Sequence, residues 1–146
     1  MTTSSNGIDF ISKEEGCILH PYLDSVKKPT IGIGSTYWEN GNPVSMNDKP
    51  ITKQRALDLF KTTLKRYEAQ VNKSIITHIN QNQFDALVSL CYNIGTNGFS
   101  GSTVVKKVNN NPLDPDIRKW FEAWRNAGGK PILLSRRKRE ADLYFK

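Results

Sequence analysis

The sequence predicts a mainly helical α+β domain in two lobes, with a small antiparallel sheet in the lesser lobe and a long helix connecting it to the other. Three observations carry this. Apolar residues at Ala56, Phe60, Leu64, Tyr67, Val71 and Ile75 recur in steps of three and four, the period of one helix face. Residues 21–50 lack that period and are interrupted by proline and glycine, as turns between short strands are. Beyond residue 80 several shorter helical patterns follow, each closed by Asn, Gly or Pro.

In chain order, residues 1–5 read as a frayed leader, and Ser5 or Asn6 is placed to cap a short helix with Ile8 and Ile11 on one face, ending at Gly16. Pro21 pushes His20 out of the α region, so the chain is extended before Asp24. Thr30-Ile31-Gly32-Ile33-Gly34 alternates branched and small residues, the pattern of a short strand with one apolar face. Glycine inside a strand marks a bulge or a close approach, here the wall of a cleft. Thr52 is a fitting N-cap for the periodic stretch, a helix of about 24 residues and about 36 Å by its period and rise. Asn80 or Asn82 caps the next helix, which carries Phe84, Leu87, Val88, Cys91 and Ile94 and reads as buried core. Gly95-Thr96-Asn97-Gly98 stops it. Ser102 or Thr103 starts another, which Asn109-Asn110-Asn111-Pro112 ends. Pro115 suits the first turn of a helix containing Ile117, Trp120, Phe121 and Trp124 and ending at Gly128-Gly129. A last helix runs from about Ser135. No repeat or linker interrupts the chain. Residues 1–146 are therefore expected to form one domain, the lesser lobe at about 14–55 and the helical lobe at about 56–146 plus the N-terminal helix, with a cleft between them.

Composition narrows the function. Lys and Arg outnumber acids 21 to 14, for a net charge of +7, which favours polyanionic partners. The basic residues are scattered except at Arg136-Arg137-Lys138-Arg139, and no nucleic-acid signature accompanies them, so nucleic acid is not the expected partner. Two cysteines, Cys17 and Cys91, and two histidines, His20 and His78, give no ligand spacing. No metal and no cofactor are expected. Both thiols lie among apolar residues and read as buried small hydrophobes, a bridge between them staying open. Trp120 and Trp124 read as core. The first residues carry no signal-peptide pattern, and no apolar run reaches spanning length. A cytoplasmic chain without stable membrane insertion is expected.

The chemistry concentrates in Lys13–Thr36, which holds Glu15, Asp24 nine residues later, and Thr30 six after that. Pro21 keeps the two acids off one helix. A helix end and a hairpin offer unlike surroundings, so one carboxyl can hold a proton while the other is ionised. Acetal hydrolysis asks for that pair: a proton for the leaving oxygen, and an anion to steady the sugar cation or activate water. Such spacings are also common among solvated acids, and the motif alone does not establish a site.

Glu15-Gly16, Leu19, Tyr22, Asp24, Thr30-Ile31-Gly32 and Gly34 together resemble the signature of the phage-type lysozymes, glycoside hydrolase family 24. Gln83–Leu90 with Tyr92-Asn93-Ile94-Gly95 and Phe99 resembles the family's central helix and the turn after it, and Arg136-Arg137, Glu140 and Leu143-Tyr144 its closing segment. The resemblance implies a lysozyme-like fold and an endolysin that hydrolyses the β-1,4 bond between N-acetylmuramic acid and N-acetylglucosamine in bacterial peptidoglycan. It implies Glu15 as general acid and Asp24 with Thr30 holding water for inversion, with carboxyls roughly 6.5–9.5 Å apart. Tyr92, Asn93 and Gly34 would meet substrate. An arginine of the closing segment, taken as Arg137, would reach an acid of the first helix, Glu15. A monomer is expected, with a separate hole-forming membrane protein giving access to the wall. Ile132, where the family often has glycine, and Tyr37-Trp38-Glu39-Asn40 depart from the pattern and touch the outer subsites. Two rival readings remain, a lytic transglycosylase and a non-catalytic cationic protein that binds the wall or disrupts membranes.

Overall fold

The computed structural model describes residues 1–146. Seven helices and one two-stranded antiparallel sheet follow in the order α1 (Ser5–Glu15), β1 (Ile18–Leu23), β2 (Pro29–Gly32), α2 (Lys53–Ser74), α3 (Gln81–Ile94), α4 (Thr96–Ser100), α5 (Thr103–Asn110), α6 (Ile117–Glu122) and α7 (Leu134–Tyr144). This is the mainly helical α+β class that the sequence predicts. The chain divides into two compact units, Ile8–Lys65 and a second made of Met1–Gly7 with Arg66–Lys146. The divide falls inside α1 and α2, so most of α1 is grouped with the sheet. No helix is long and apolar enough to cross a membrane.

In the smaller unit the hairpin is closed at Asp24, whose N–H donates to the Lys28 carbonyl at 3.0 Å. The intervening loop of Ser25, Val26 and Lys27 ends with Lys27 at φ 62°, the left-handed position expected of a three-residue hairpin loop. Tyr22 pairs with Thr30 and Leu23 with Pro29, while Ile18 pairs with Gly32, so the register shifts between Ile18 and Tyr22. Pro21 lies in that irregular stretch and has no N–H for the ladder. The expected strand over Thr30–Gly34 is shorter than its pattern: β2 ends at Gly32, and the chain turns back so that Ile31 and Ser35 exchange hydrogen bonds of 2.9 and 3.0 Å. Positive φ at Gly32 and Gly34 (69° and 79°) makes the turn. Ile31 and Ile33 are both buried, as the apolar members of the pattern. Ile31, Val44 and Leu59 form the core here, with Trp38 and Ile51 packed against it. Gly32 lies against α2, where a Cβ would come within 3.2 Å of the Ala56 methyl.

Helix α2 matches its periodicity. Thr52 caps it, its hydroxyl accepting from the Arg55 N–H at 3.1 Å, and Ala56, Phe60, Leu64, Val71 and Ile75 are all buried. Asn80 caps α3 through a reciprocal capping box with Gln83, and Ser102 caps α5. In the second unit α3 packs on α4 and α7, and α6 on α5 and α7, with Phe84, Leu87, Phe99, Val104, Phe121 and Tyr144 inside.

Four expectations are corrected. The first residues are not frayed: Thr3 donates to Glu68, Ser4 to Asp85, and the terminal ammonium to Asn72 at 3.0 Å. Ser4 also caps α1, accepting from the Gly7 N–H at 3.0 Å, one residue earlier than read. Second, α3 does stop at Gly95, but Thr96-Asn97-Gly98 then opens the short helix α4, which buries Phe99. Third, α6 ends at Glu122 and leaves Trp124 outside it; Trp120 and Trp124 are half-buried and border a surface cavity with Gly101, Ser102, Thr103 and Ala123. Fourth, both cysteines are free, and Cys17 is exposed while Cys91 is buried, because Cys17 falls in the short link between α1 and β1.

Candidate active site

Glu15 is the last residue of α1. Gly16 follows at φ 77°, and its N–H donates to the Ser12 carbonyl at 2.9 Å. Glycine adopts this left-handed conformation without a Cβ penalty and stops the helix there. Glu15 is thereby fixed at the end of a regular element, half-buried.

Asp24 sits where β1 runs into its hairpin loop. Its Oδ1 accepts from two backbone N–H groups, Val26 at 2.9 Å and Lys28 at 2.8 Å. This leaves Oδ2 outside the loop's hydrogen bonds. Thr30, directly across the ladder from Tyr22, is 2% exposed, and its hydroxyl donates to the Lys28 carbonyl at 2.9 Å. Asp24 and Thr30 are therefore both anchored on Lys28, one through its N–H and the other through its C=O.

Tyr22 stands beside this pair on the hairpin, across from Thr30. Its hydroxyl is held above the usual tyrosine range first by burial, then by the negative charges of Glu15 and Asp24, with a smaller part from Cys17. Both carboxylates thus act on one phenol. Asp24 is two residues beyond Tyr22, a spacing that returns side chains to the same face of an extended chain. Gly34 lies in the turn that ends β2, at a φ that excludes most side chains.

The remaining candidates lie in the second unit. Tyr92 and Asn93 close α3 and are half-buried. The Tyr92 ring meets Tyr67 edge-on at 4.9 Å between centroids. Arg137 is fully buried, and three of its N–H groups are taken within this unit, Nε donating to the Trp124 carbonyl at 2.8 Å, Nη1 to Glu140 and Nη2 to the Asn93 side-chain oxygen. Glu140, also fully buried, takes Arg136 Nε at 3.2 Å and the Ser89 hydroxyl at 2.5 Å besides. Residue-by-residue reading missed Glu140 as the hub of this network. Its signal was present, since Glu140 is four residues from Arg136 and three from Arg137, both of which face the same side of a helix.

Comparison with known proteins places the chain in a family. The phage lysozyme family model matches residues 12–140. The chain belongs to the phage lysozyme family. It is 42% identical over 148 residues to an endolysin of Salmonella phage P22, covering 99% of both chains. It is 33% identical to an endolysin of Bacillus phage PZA, covering 99% of this chain and 55% of that one. Among solved structures, a P22 lysozyme mutant superposes with a TM-score of 0.90 at 40% identity, covering 100% of this chain and 99% of that one. The muramidase domain of SpmX from Asticaccaulis excentricus gives 0.84 at 28% identity, covering 99% of this chain and 98% of that one. As a phage lysozyme the chain is a glycoside hydrolase and a peptidoglycan-lysing endolysin.

Proposed function

We propose that this chain, acting as one catalytic domain over residues 1–146, hydrolyses the β-1,4 bond between N-acetylmuramic acid and N-acetylglucosamine with inversion, Glu15 serving as general acid and Asp24 with Thr30 holding the attacking water. The observation that carries this is the shared anchoring of Asp24 and Thr30 on Lys28. With its proton committed to the Lys28 carbonyl, the Thr30 oxygen meets a water as an acceptor. Asp24 meets the same water as an acceptor through Oδ2. A water giving one hydrogen to each keeps a lone pair for the anomeric carbon. As the new C–O bond forms, the bond to the leaving oxygen breaks, Glu15 passes its proton to that oxygen, and the water's proton goes to Asp24.

Tyr92 offers a ring face to a sugar, and Gly34 leaves room for the chain to approach. Asn93, its side-chain oxygen taken by Arg137, presents its amide N–H groups as donors to a substrate carbonyl. Arg137 enters this scheme by fixing Asn93. The net charge of +7 favours retention on an acidic wall. In this reading the enzyme works as a monomer, gathers in the cytoplasm until lysis, and reaches the wall through a separate hole-forming membrane protein.

The test is the product. Purified peptidoglycan digested with the protein should release fragments with reducing ends, and proton NMR at early times should show the α-anomer first. The β-anomer first would overturn inversion, and 1,6-anhydro ends would mean a transglycosylase. Glu15→Gln should keep the fold and lose turbidity-clearing activity by about two orders of magnitude, the range of a general acid's contribution; lysis retained by that variant would point to wall disruption without turnover.

A further inference from the structure

We propose that the Tyr22 hydroxyl is a further catalytic group of this site, donating a hydrogen bond to an oxygen of the sugar chain at the point of cleavage. The assignment rests on the hydrolase reading above and adds to it a neutral donor on the hairpin that carries Asp24 and Thr30.

Three features of Tyr22 carry it. The first is position: Tyr22 is paired with Thr30 across the β1–β2 ladder and precedes Asp24 by two residues, so the phenol shares a hairpin with both members of the water-holding pair. The second is that no hydrogen bond of the fold uses its hydroxyl. A buried phenol finds a partner inside its fold, as Tyr144 does on the Pro112 carbonyl at 2.7 Å. Tyr22 is only half-buried, and its hydroxyl is left to whatever occupies the space beside it.

The third is the surrounding charge. Glu15 from the end of α1, Asp24 from the hairpin loop and Cys17 from the intervening link all act on the phenol and disfavour its ionised form. Tyr22 therefore stays an O–H donor through the pH range in which two carboxylates work. The acids can supply one proton to the leaving oxygen and accept from water, but an ionised carboxylate cannot donate to a substrate oxygen. A phenol held protonated beside Asp24 and Thr30 on the hairpin fills that need, and its hydrogen bond strengthens as charge builds on the oxygen it meets.

Tyr22→Phe keeps the ring and removes only the hydroxyl. Its expected effect is a fall in kcat of about tenfold, a modest loss for one transition-state donor, with KM little changed and thermal stability retained. Wild-type kcat in this variant would overturn the assignment while leaving the hydrolase reading intact. A wild type that releases no fragments would overturn both. A second measurement needs no turnover: the Tyr22 phenol, isolated by subtracting the ultraviolet titration of Tyr22→Phe, should ionise at higher pH than a free tyrosine. That midpoint should fall when Glu15→Gln and Asp24→Asn are combined. An unmoved midpoint would separate Tyr22 from the acids and end the proposal.

Discussion

Thr30 gives its hydroxyl proton to the carbonyl of Lys28, 2.9 Å away, and this one bond decides which way the threonine can face a water. Thr30→Ser keeps the hydroxyl and the acceptor, and should keep activity within a few-fold. Thr30→Val matches the shape and removes the oxygen. The Lys28 carbonyl still receives the Asp24 N–H at 3.0 Å, so the hairpin should survive while kcat falls on the order of 100-fold, as when one oriented polar group of an active site is lost. Turbidity clearing and thermal melts of both variants check this; Thr30→Val with normal clearing would remove Thr30 from the water site.

Glu140 gathers Arg136, Arg137 and Ser89 without exposure to water. Removing one partner of such a network strands the others, at a cost of about 3–5 kcal/mol. Glu140→Gln should therefore lower Tm by on the order of 10 °C in a domain of this size. It should also loosen Asn93, which shares Arg137 with Glu140, so KM should rise beyond what the lost stability explains. An unchanged Tm would show the network to be slack.

Gly7 has no room for a methyl. A Cβ there would lie 2.5 Å from the Asp85 carboxyl carbon, and Asp85 is held by Ser4 and by Gln81 at 2.8 Å. Moving it breaks the bonds that tie the N-terminus down. Gly7→Ala should cost about 1–3 kcal/mol, as overpacking does, against the gain that alanine brings to an ordinary helix position. Gly101→Ala, whose nearest neighbour would be the Asn97 carbonyl at 3.8 Å, is the control and should melt like the wild type. Equal melting of the two variants would count against a rigid Asp85.

What the sequence discloses here follows the range of the forces involved. Helix α2 was legible because its buried residues repeat at one period and Thr52 caps it by a bond three residues away. Glu15, Asp24 and Thr30 were singled out through the family resemblance, and they lie close in sequence, Glu15 at the end of α1 and the other two on the hairpin that follows. The N-terminal residues were not, since Thr3 and Ser4 are fixed by Glu68 and Asp85, partners 65 and 81 residues distant. Helix α4 was hidden behind Asn97 and Gly98, poor helix formers, and exists by burying Phe99. The end of β2 was misread because Gly32 and Gly34, both at positive φ, turn the chain back after Gly32.

The two thiols should behave as opposites. Cys17 is exposed and should react with a disulfide reagent at once, whereas Cys91 is buried and burial pushes its thiol from an ordinary 9.0 to about 12. Native protein at pH 8 should then titrate as one thiol per chain, and denatured protein as two. The same shift bears on stability. Between pH 9 and pH 12 the unfolded chain has released the Cys91 proton while the folded chain keeps it, so the folded state binds more protons and stability falls as pH rises. Below pH 9 both states hold the proton and the contribution is flat. Burial raises the Tyr144 hydroxyl as well, with a loss of the same sign, but Tyr144 is present in wild type and in Cys91→Ala alike and cancels between them. Unfolding free energies by denaturant, wild type minus Cys91→Ala, should accordingly be level to pH 9 and decline above it. A difference that stays level to pH 11 would mean that Cys91 ionises inside the fold, and that water reaches α3 where the structure leaves it none.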